Sequence, residues 1–239
     1  MDTSWLSRTS LLIGEDNLQL LTQKHVMVVG LGGVGSFAAE FIARSGIGKM
    51  TIIDGDVVDP TNRNRQLPAL ATNHGISKAL IMEERLKAIN PELEIHVVKS
   101  FVNPEMVEEQ LLQKPDYVID AIDSITPKIT FLRLAYQHQV RVVSSMGAGA
   151  KLDPTRLQVV DISKTYNCPF AQQVRKNLKN HGIKKGIKVV FSPEEPIKES
   201  LMLTDGKNFK KSAYGTISYL PAVFGAVTAS VVIRDFIDK

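Results

Sequence analysis

Residues 26–36 read Val26-Met27-Val28-Val29-Gly30-Leu31-Gly32-Gly33-Val34-Gly35-Ser36, and the chain continues as FAAEFIARSGIG through Gly48. The apolar run predicts a buried strand, the glycines a tight turn, and the apolar spacing after Ser36 a helix stopped at Gly46. In that order the helix's first turn presents its unpaired N–H groups and the positive end of its dipole to the glycine loop, where a phosphate can sit. Gly30, Gly32, Gly33 and Gly35 are therefore candidate phosphate-loop residues, because a backbone without Cβ atoms can approach a polyphosphate closely.

Further along, residues 50–53 form a second apolar strand ending at Asp54, nineteen residues after Gly35. An acid at that place can accept hydrogen bonds from both hydroxyls of a ribose. Residues 55–68 are too polar and too rich in Asn and Pro for regular structure, and helix returns over 76–89, closed by Asn90-Pro91. Strands are expected at 95–98, 117–119 and 140–144, with helices at 104–112 and 127–138 between them. Alternation at this pitch predicts an α/β fold with a doubly wound, mostly parallel Rossmann-like sheet.

The remainder of the chain bounds the class. At 239 residues with 44% hydrophobic residues and 23% charged, it has the composition of a globular protein and can bury a sizeable core. One domain over 1–239 is expected, with a soft division between a nucleotide-binding core, 1–149, and a substrate- and dimer-facing part, 150–239. The single cysteine, Cys168, excludes an intrachain disulfide framework and a four-cysteine zinc site, so no zinc is expected and a cytoplasmic location is. The opening MDTSWLSRTSLLIG lacks the features of a secretory signal. Residues 213–233 carry no formal charge but include Pro221 and six Gly, Ser or Thr residues, which predicts a buried helix from about Pro221 rather than stable membrane insertion.

Beyond 149 the pattern changes. Residues 157–162 and 188–191 are expected as C-terminal antiparallel strands that extend the sheet, flanking a basic helix at 170–180. Charge concentrates over 164–211, with eleven basic and four acidic residues, a net of +7 against +4 for the whole chain. This stretch is expected as an inserted basic excursion. Such a run serves either as a solvated lysine face or as a surface that tracks nucleic-acid phosphates.

The glycine loop and Asp54 suit NAD as readily as ATP. The following DGDVVDPTNRNRQ, with Asp56, Asn62, Arg63, Arg65 and Gln66, and then Lys78 at a helix start, adds fixed cations beyond what two phosphates require. Taken singly these cations are ordinary surface residues; as a set they favour a triphosphate with a departing pyrophosphate. Asp120-Ala121-Ile122-Asp123-Ser124 follows a strand at the carboxyl edge of the sheet, where ligands of open α/β folds lie. Asp123 is the candidate magnesium ligand, and Asp120 is read mainly as a structural carboxylate.

GLGGVGS, DGDVVDPTNRNRQ, Lys78 and DAIDS together resemble the adenylation core of the ubiquitin-activating-enzyme-like family. The resemblance implies ATP and magnesium, with Asp54 on ribose, Asn62, Arg65 and Lys78 on phosphates, and Asp123 on the metal. Asp56 and Gln66, in the same motifs, complete the candidate nucleotide set. It also implies a homodimer in which an N-terminal arginine reaches the partner's site, for which Arg8 is the candidate. Arg65, Lys78, Asp123 and Arg8 are the candidate catalytic residues.

Ser145-Met146-Gly147-Ala148-Gly149, Asp153-Pro154-Thr155, DISKT at 161–165 and KVVFS at 188–192 resemble one bacterial branch of that family. Its members cyclise the threonylcarbamoyl group on adenosine 37 of tRNA through an acyl adenylate. The resemblance implies tRNA carrying threonylcarbamoyladenosine as substrate, a second copy of the chain as partner, and room for a sulfur-transfer partner of the cysteine desulfurase kind. Two other functions compete: an adenylyltransferase of a ubiquitin-like sulfur carrier, and a nucleotide-binding scaffold without turnover. No histidine stands at a ligand spacing and no general base is evident.

Overall fold

The computed structural model describes residues 2–203 and 212–237, so the end of the basic stretch, 204–211, lies outside the described residues. Its centre is a seven-stranded sheet in the order β3-β2-β1-β4-β5-β7-β6. The strands are β1 (His25–Val29), β2 (Lys49–Ile53), β3 (Glu94–Val98), β4 (Tyr117–Asp120), β5 (Val142–Ser145), β6 (Gln158–Asp161) and β7 (Lys188–Phe191). All neighbours run parallel except β6, which is antiparallel to β7; of the two C-terminal strands expected to be antiparallel, β7 instead continues the parallel run from β5. Every residue of β1 and β4 is buried, as continuous apolar runs covered by helices on both faces require.

The expected β-α-β core is present. Helix α3 (Gly35–Arg44) follows the glycine loop, and Gly46 ends it with a positive φ of 86°. Helices α4 (Lys78–Ile89), α5 (Pro104–Leu111) and α6 (Ile125–Gln137) fall where the periodicity placed them. Strand β5 starts two residues later than its apolar run, because Val140 N–H still closes the end of α6 on Ala135 O.

Two short helices, α1 (Ser7–Ile13) and α2 (Glu15–Thr22), precede the sheet, and no pattern in the sequence announced them. Helix α1 buries none of its residues and leaves Leu11 and Leu12 largely exposed, so it has no core-facing stripe to read. Leu6, just before it, fills the space beside Gly46 at the far end of α3 from the glycine loop.

Much of the basic stretch is built into the fold. Helix α7 (Pro169–Asn180) buries Ala171, Val174 and Leu178 in a second apolar cluster with Ile162, Val189 and Phe191, and β7 sits inside the sheet rather than at its edge. A separate antiparallel pair, β8 (Leu201–Leu203) and β9 (Ser212–Tyr214), follows. Most of the uncharged segment, 219–233, lies in α8 (Tyr219–Phe236), with Pro221 in its first turn. This helix is apolar and long enough to cross a bilayer, yet half of it is buried. Leu220, Phe224, Val231 and Val232 join the main core with Ala38, Ala39 and Ile42 of α3. Gly225 permits this contact: a Cβ there would stand 2.5 Å from Val34 O.

Candidate active site

The glycine loop is shaped by what surrounds it. Gly30 has φ 88°, and a Cβ on it would lie 2.9 Å from Ala121 O; one on Gly35 would overlap Gly30 O at 1.7 Å. The loop thus turns sharply under α3 and abuts the segment after β4. A Cβ on Gly33 would press on Pro221 of α8 at 2.9 Å, whereas Gly32 has no tighter neighbour than Gln66 Nε2 at 3.7 Å. Gly32 is accordingly the loop position open toward a ligand.

Asp54 ends β2 beside this loop. Its Oδ2 accepts the N–H of Leu31 at 2.6 Å and its Oδ1 that of Asp56 at 2.7 Å. Burial raises the Asp54 pKa above the ordinary aspartate range, against the pull of Lys78 and of those two N–H groups. The carboxylate thus ties the glycine loop to the segment that follows β2.

The segment after Asp54 brings its charges inward. Lys78, the first residue of α4, is buried; its Nζ pairs with Asp56 Oδ2 at 3.1 Å and its N–H bonds Asp56 O at 3.1 Å. Asn62 is buried in a capping box, its Oδ1 accepting the N–H of Asp59 at 3.1 Å. Arg65 donates from Nη1 to Thr61 O at 3.0 Å and Asn64 Oδ1 at 2.8 Å, both within its own turn. The buried Oε1 of Gln66 finds no hydrogen-bond partner among the described residues. A buried amide left short of a partner beside a glycine loop suits a polar ligand's hydroxyl or bound water.

At the end of β4, Asp120 is wholly buried. Its Oδ2 accepts from Lys128 Nζ and from Ser144 Oγ, both at 2.7 Å, and its Oδ1 from the N–H of Ile122 at 3.0 Å. Lys128 is also fully buried, and burial lowers its pKa while the charges of Asp120 and Asp123 oppose the shift. Sequence reading missed this lysine, since a single cation in a helix is ordinarily solvated. Asp123, three residues past Asp120, is exposed at the carboxyl edge of the sheet.

Gly30–Gly35, Asp54, Asp56, Asn62, Gln66 and Lys78 converge at one end of the sheet, with Arg65 on the adjoining turn and Asp123 across the crevice. Arg8 does not join them: it lies on α1, beside the Leu6 contact at the opposite end of α3. In the C-terminal part, buried Lys151 donates to Ser192 O at 2.7 Å next to buried Cys168. Cys168 is a free, buried thiol in the apolar cluster that includes Met146, Ile162 and Ala171.

A model of the ThiF family matches residues 6–238. The chain belongs to the ThiF family. Among ThiF-family relatives it is 42% identical to the tRNA threonylcarbamoyladenosine dehydratase of Bacillus subtilis (strain 168), covering 97% of this chain and 94% of that protein. It is 39% identical to the enzyme of the same name from Escherichia coli (strain K12), covering 99% and 96%. A crystal structure of the E. coli enzyme in complex with ATP superposes with a TM-score of 0.89 at 39% identity, over 99% of this chain and 96% of that one. The same E. coli enzyme has also been solved with AMP. The ThiF-family fold and the dehydratase branch expected from the motifs are both borne out.

Proposed function

We infer that this ThiF-family chain uses ATP to dehydrate the threonylcarbamoyl group on adenosine 37 of tRNA, closing it to a hydantoin. The observation that carries this reading is the near end-to-end likeness to dehydratases, one of which binds ATP on the same fold. A carboxylate is a poor electrophile because its charge repels nucleophiles and oxide does not leave. Attack of the threonylcarbamoyl carboxylate on the α-phosphorus of ATP expels pyrophosphate and gives an acyl adenylate. A ureido nitrogen of the same group then attacks the acyl carbon and AMP leaves, carrying the carboxylate oxygen; the net loss from the RNA is water. Ring closure is intramolecular and gains from high effective molarity.

In this scheme the glycine loop and the first turn of α3 cradle phosphates, Asp54 takes the ribose hydroxyls, and Asn62, Arg65 and Lys78 stabilise the departing charge. Gln66 offers its buried amide to the nucleotide. An exposed carboxylate beside the phosphate loop is the hard oxygen donor that magnesium combines with phosphate oxygens, so Asp123 fits that ion. Magnesium held there would neutralise phosphate charge. Arg8, remote from the site of its own chain, would act from a second copy in a homodimer. Exposed Lys176, Lys179, Lys184 and Lys185, on α7 and the turn after it, supply the cations for an RNA backbone. The lone, enclosed cysteine disfavours the thioester and zinc chemistry of sulfur-carrier activation.

Incubating the protein with ATP and tRNA bearing or lacking the threonylcarbamoyl group tests the reading. AMP formation that requires the mark, with loss of one water mass from the tRNA, is expected. Turnover that ignores the mark, or that answers instead to a small protein ending in Gly-Gly, would refute it.

A further inference from the structure

The segment 121–124, which carries Asp123, is bracketed by two residues that are both completely buried, Asp120 and Lys128. Asp120 holds its start through the N–H of Ile122, and the backbone N–H of Lys128 bonds Ser124 O at its end, 3.2 Å away. The Lys128 ammonium then closes the bracket on Asp120 Oδ2 at 2.7 Å, where Ser144 Oγ of β5 also bonds. On its other side Lys128 lies under the Phe170 ring, 5.8 Å from its centroid, and Phe170 Cβ is 3.1 Å from where a Gly147 Cβ would be.

This cluster stands at a junction. Ala121 donates its N–H to Val29 O, and its carbonyl oxygen and Cβ occupy the space that a Cβ on Gly30 or Gly35 would need, so any shift of the bracketed segment moves the wall of the glycine loop together with Asp123. Phe170 opens α7, the basic helix, on the substrate side. A buried ion pair is a poor source of stability, because apolar residues of similar volume serve as well or better. What the pair offers here is fixed direction: it ties strand end, loop and helix start into one geometry.

We propose that Lys128, through Asp120, is a positioning residue that sets the Asp123 segment against the phosphate loop for adenylation. The proposal rests on the adenylation reading and extends it to a residue that touches neither nucleotide nor RNA.

The test compares wild type with Lys128→Met, Asp120→Asn and the double variant. Melting temperature, the ATP dissociation constant from calorimetry, and single-turnover AMP formation with marked tRNA are measured for each. Lys128→Met should melt early, since it strands a buried carboxylate, and the double variant should regain most of that loss because neither charge remains. In the double variant ATP should bind within about threefold of wild type while AMP formation stays about 100-fold slow, the scale of a small misplacement of reacting groups. A double variant that recovers rate along with melting temperature would reduce the pair to a structural one and overturn the proposal. So would a double variant whose ATP affinity falls in step with its rate. If wild type itself forms no AMP with marked tRNA, the functional reading fails and this inference with it.

Discussion

Asp54 is tied to Leu31 between adjacent strand ends: its Oδ2 lies 2.6 Å from the Leu31 nitrogen, so the carboxylate just after β2 sets the conformation of the glycine loop that follows β1. In the proposed site one residue thereby serves two parts of a nucleotide, as the candidate acceptor for ribose and as the group that shapes the glycine loop. Asp54→Ala should weaken ATP by about tenfold to a hundredfold, since a hydrogen bond to a charged group contributes about 1.5–3 kcal/mol. Calorimetric titration with ATP measures this; an unchanged dissociation constant would remove Asp54 from the site.

The same carboxylate gives a pH dependence. Burial raises its pKa in the folded chain, so the native state holds the Asp54 proton more tightly than the unfolded state does. Between the ordinary aspartate value and the raised one, this group's contribution to stability falls as pH rises. If Asp54 accepts from ribose as proposed, ATP binding is favoured by the ionised form and should strengthen over the same interval. Opposite slopes of melting temperature and ATP affinity in wild type, both flattened in Asp54→Asn, are the expected result.

Arg65 is bonded only within its own turn in the contacts described above, to Thr61 O and Asn64 Oδ1, which leaves the fold indifferent to it. Arg65→Ala should therefore keep its melting temperature, within about 0.5 kcal/mol of stability. It should lose roughly 2–4 kcal/mol of transition-state stabilisation, the usual consequence of removing one preorganised charge donor. A rate of pyrophosphate release within twofold of wild type would make Arg65 a plain surface residue.

The glycine turn, Asp54 and the run of parallel strands were legible in the sequence because burial on both faces leaves continuous apolar runs and a fixed order of turn residues. The helices around them followed from their spacing. What escaped has a common cause, namely that the deciding contacts are distant in the chain. Lys128 reads as a surface cation until Asp120 and Ser144 are brought beside it. Lys78 hides its burial in the same way, and Arg8 can be placed only by a packing contact, that of Leu6 on Gly46. Helix α1 lacks an apolar face turned to its own core, so no periodicity marks it.

At the other end of the sheet Asp235 pins the last turn of α8 to the first residues of β4 and β7 and to the residue before β5. It accepts from Lys188 Nζ at 2.6 Å and from Tyr117 Oη at 2.7 Å, while Arg141 donates to its backbone oxygen at 3.0 Å. Burial alone would raise its pKa, but the bonds from Lys188 and Tyr117 hold it below the ordinary aspartate range. A depressed folded-state pKa means stability that is present above the unfolded value and lost as pH falls through the folded one. Asp235→Ala should cost about 2 kcal/mol at neutral pH, on the scale of charge-assisted bonds, and the gap to wild type should close in acid. Urea denaturation at two pH values checks this; a gap that persists in acid would show that packing of α8, not the carboxylate, sets the effect. ATP turnover should survive, because the candidate adenylation residues lie at the opposite edge.

Lys184 and Lys185 are exposed in the turn between α7 and β7, and neither is needed by the core beneath, which Ile183 and Ile187 supply. Replacing both with alanine should leave melting temperature and ATP affinity alone while weakening tRNA. If each lysine meets a phosphate, the slope of log affinity against log salt should fall by about one unit per lysine removed. Weaker binding with an unchanged slope would mean that the turn acts by shape or hydrogen bonding, not by counterion release. Unchanged binding would move the RNA path off this turn and onto the α7 face, where Lys176 and Lys179 are the next pair to replace.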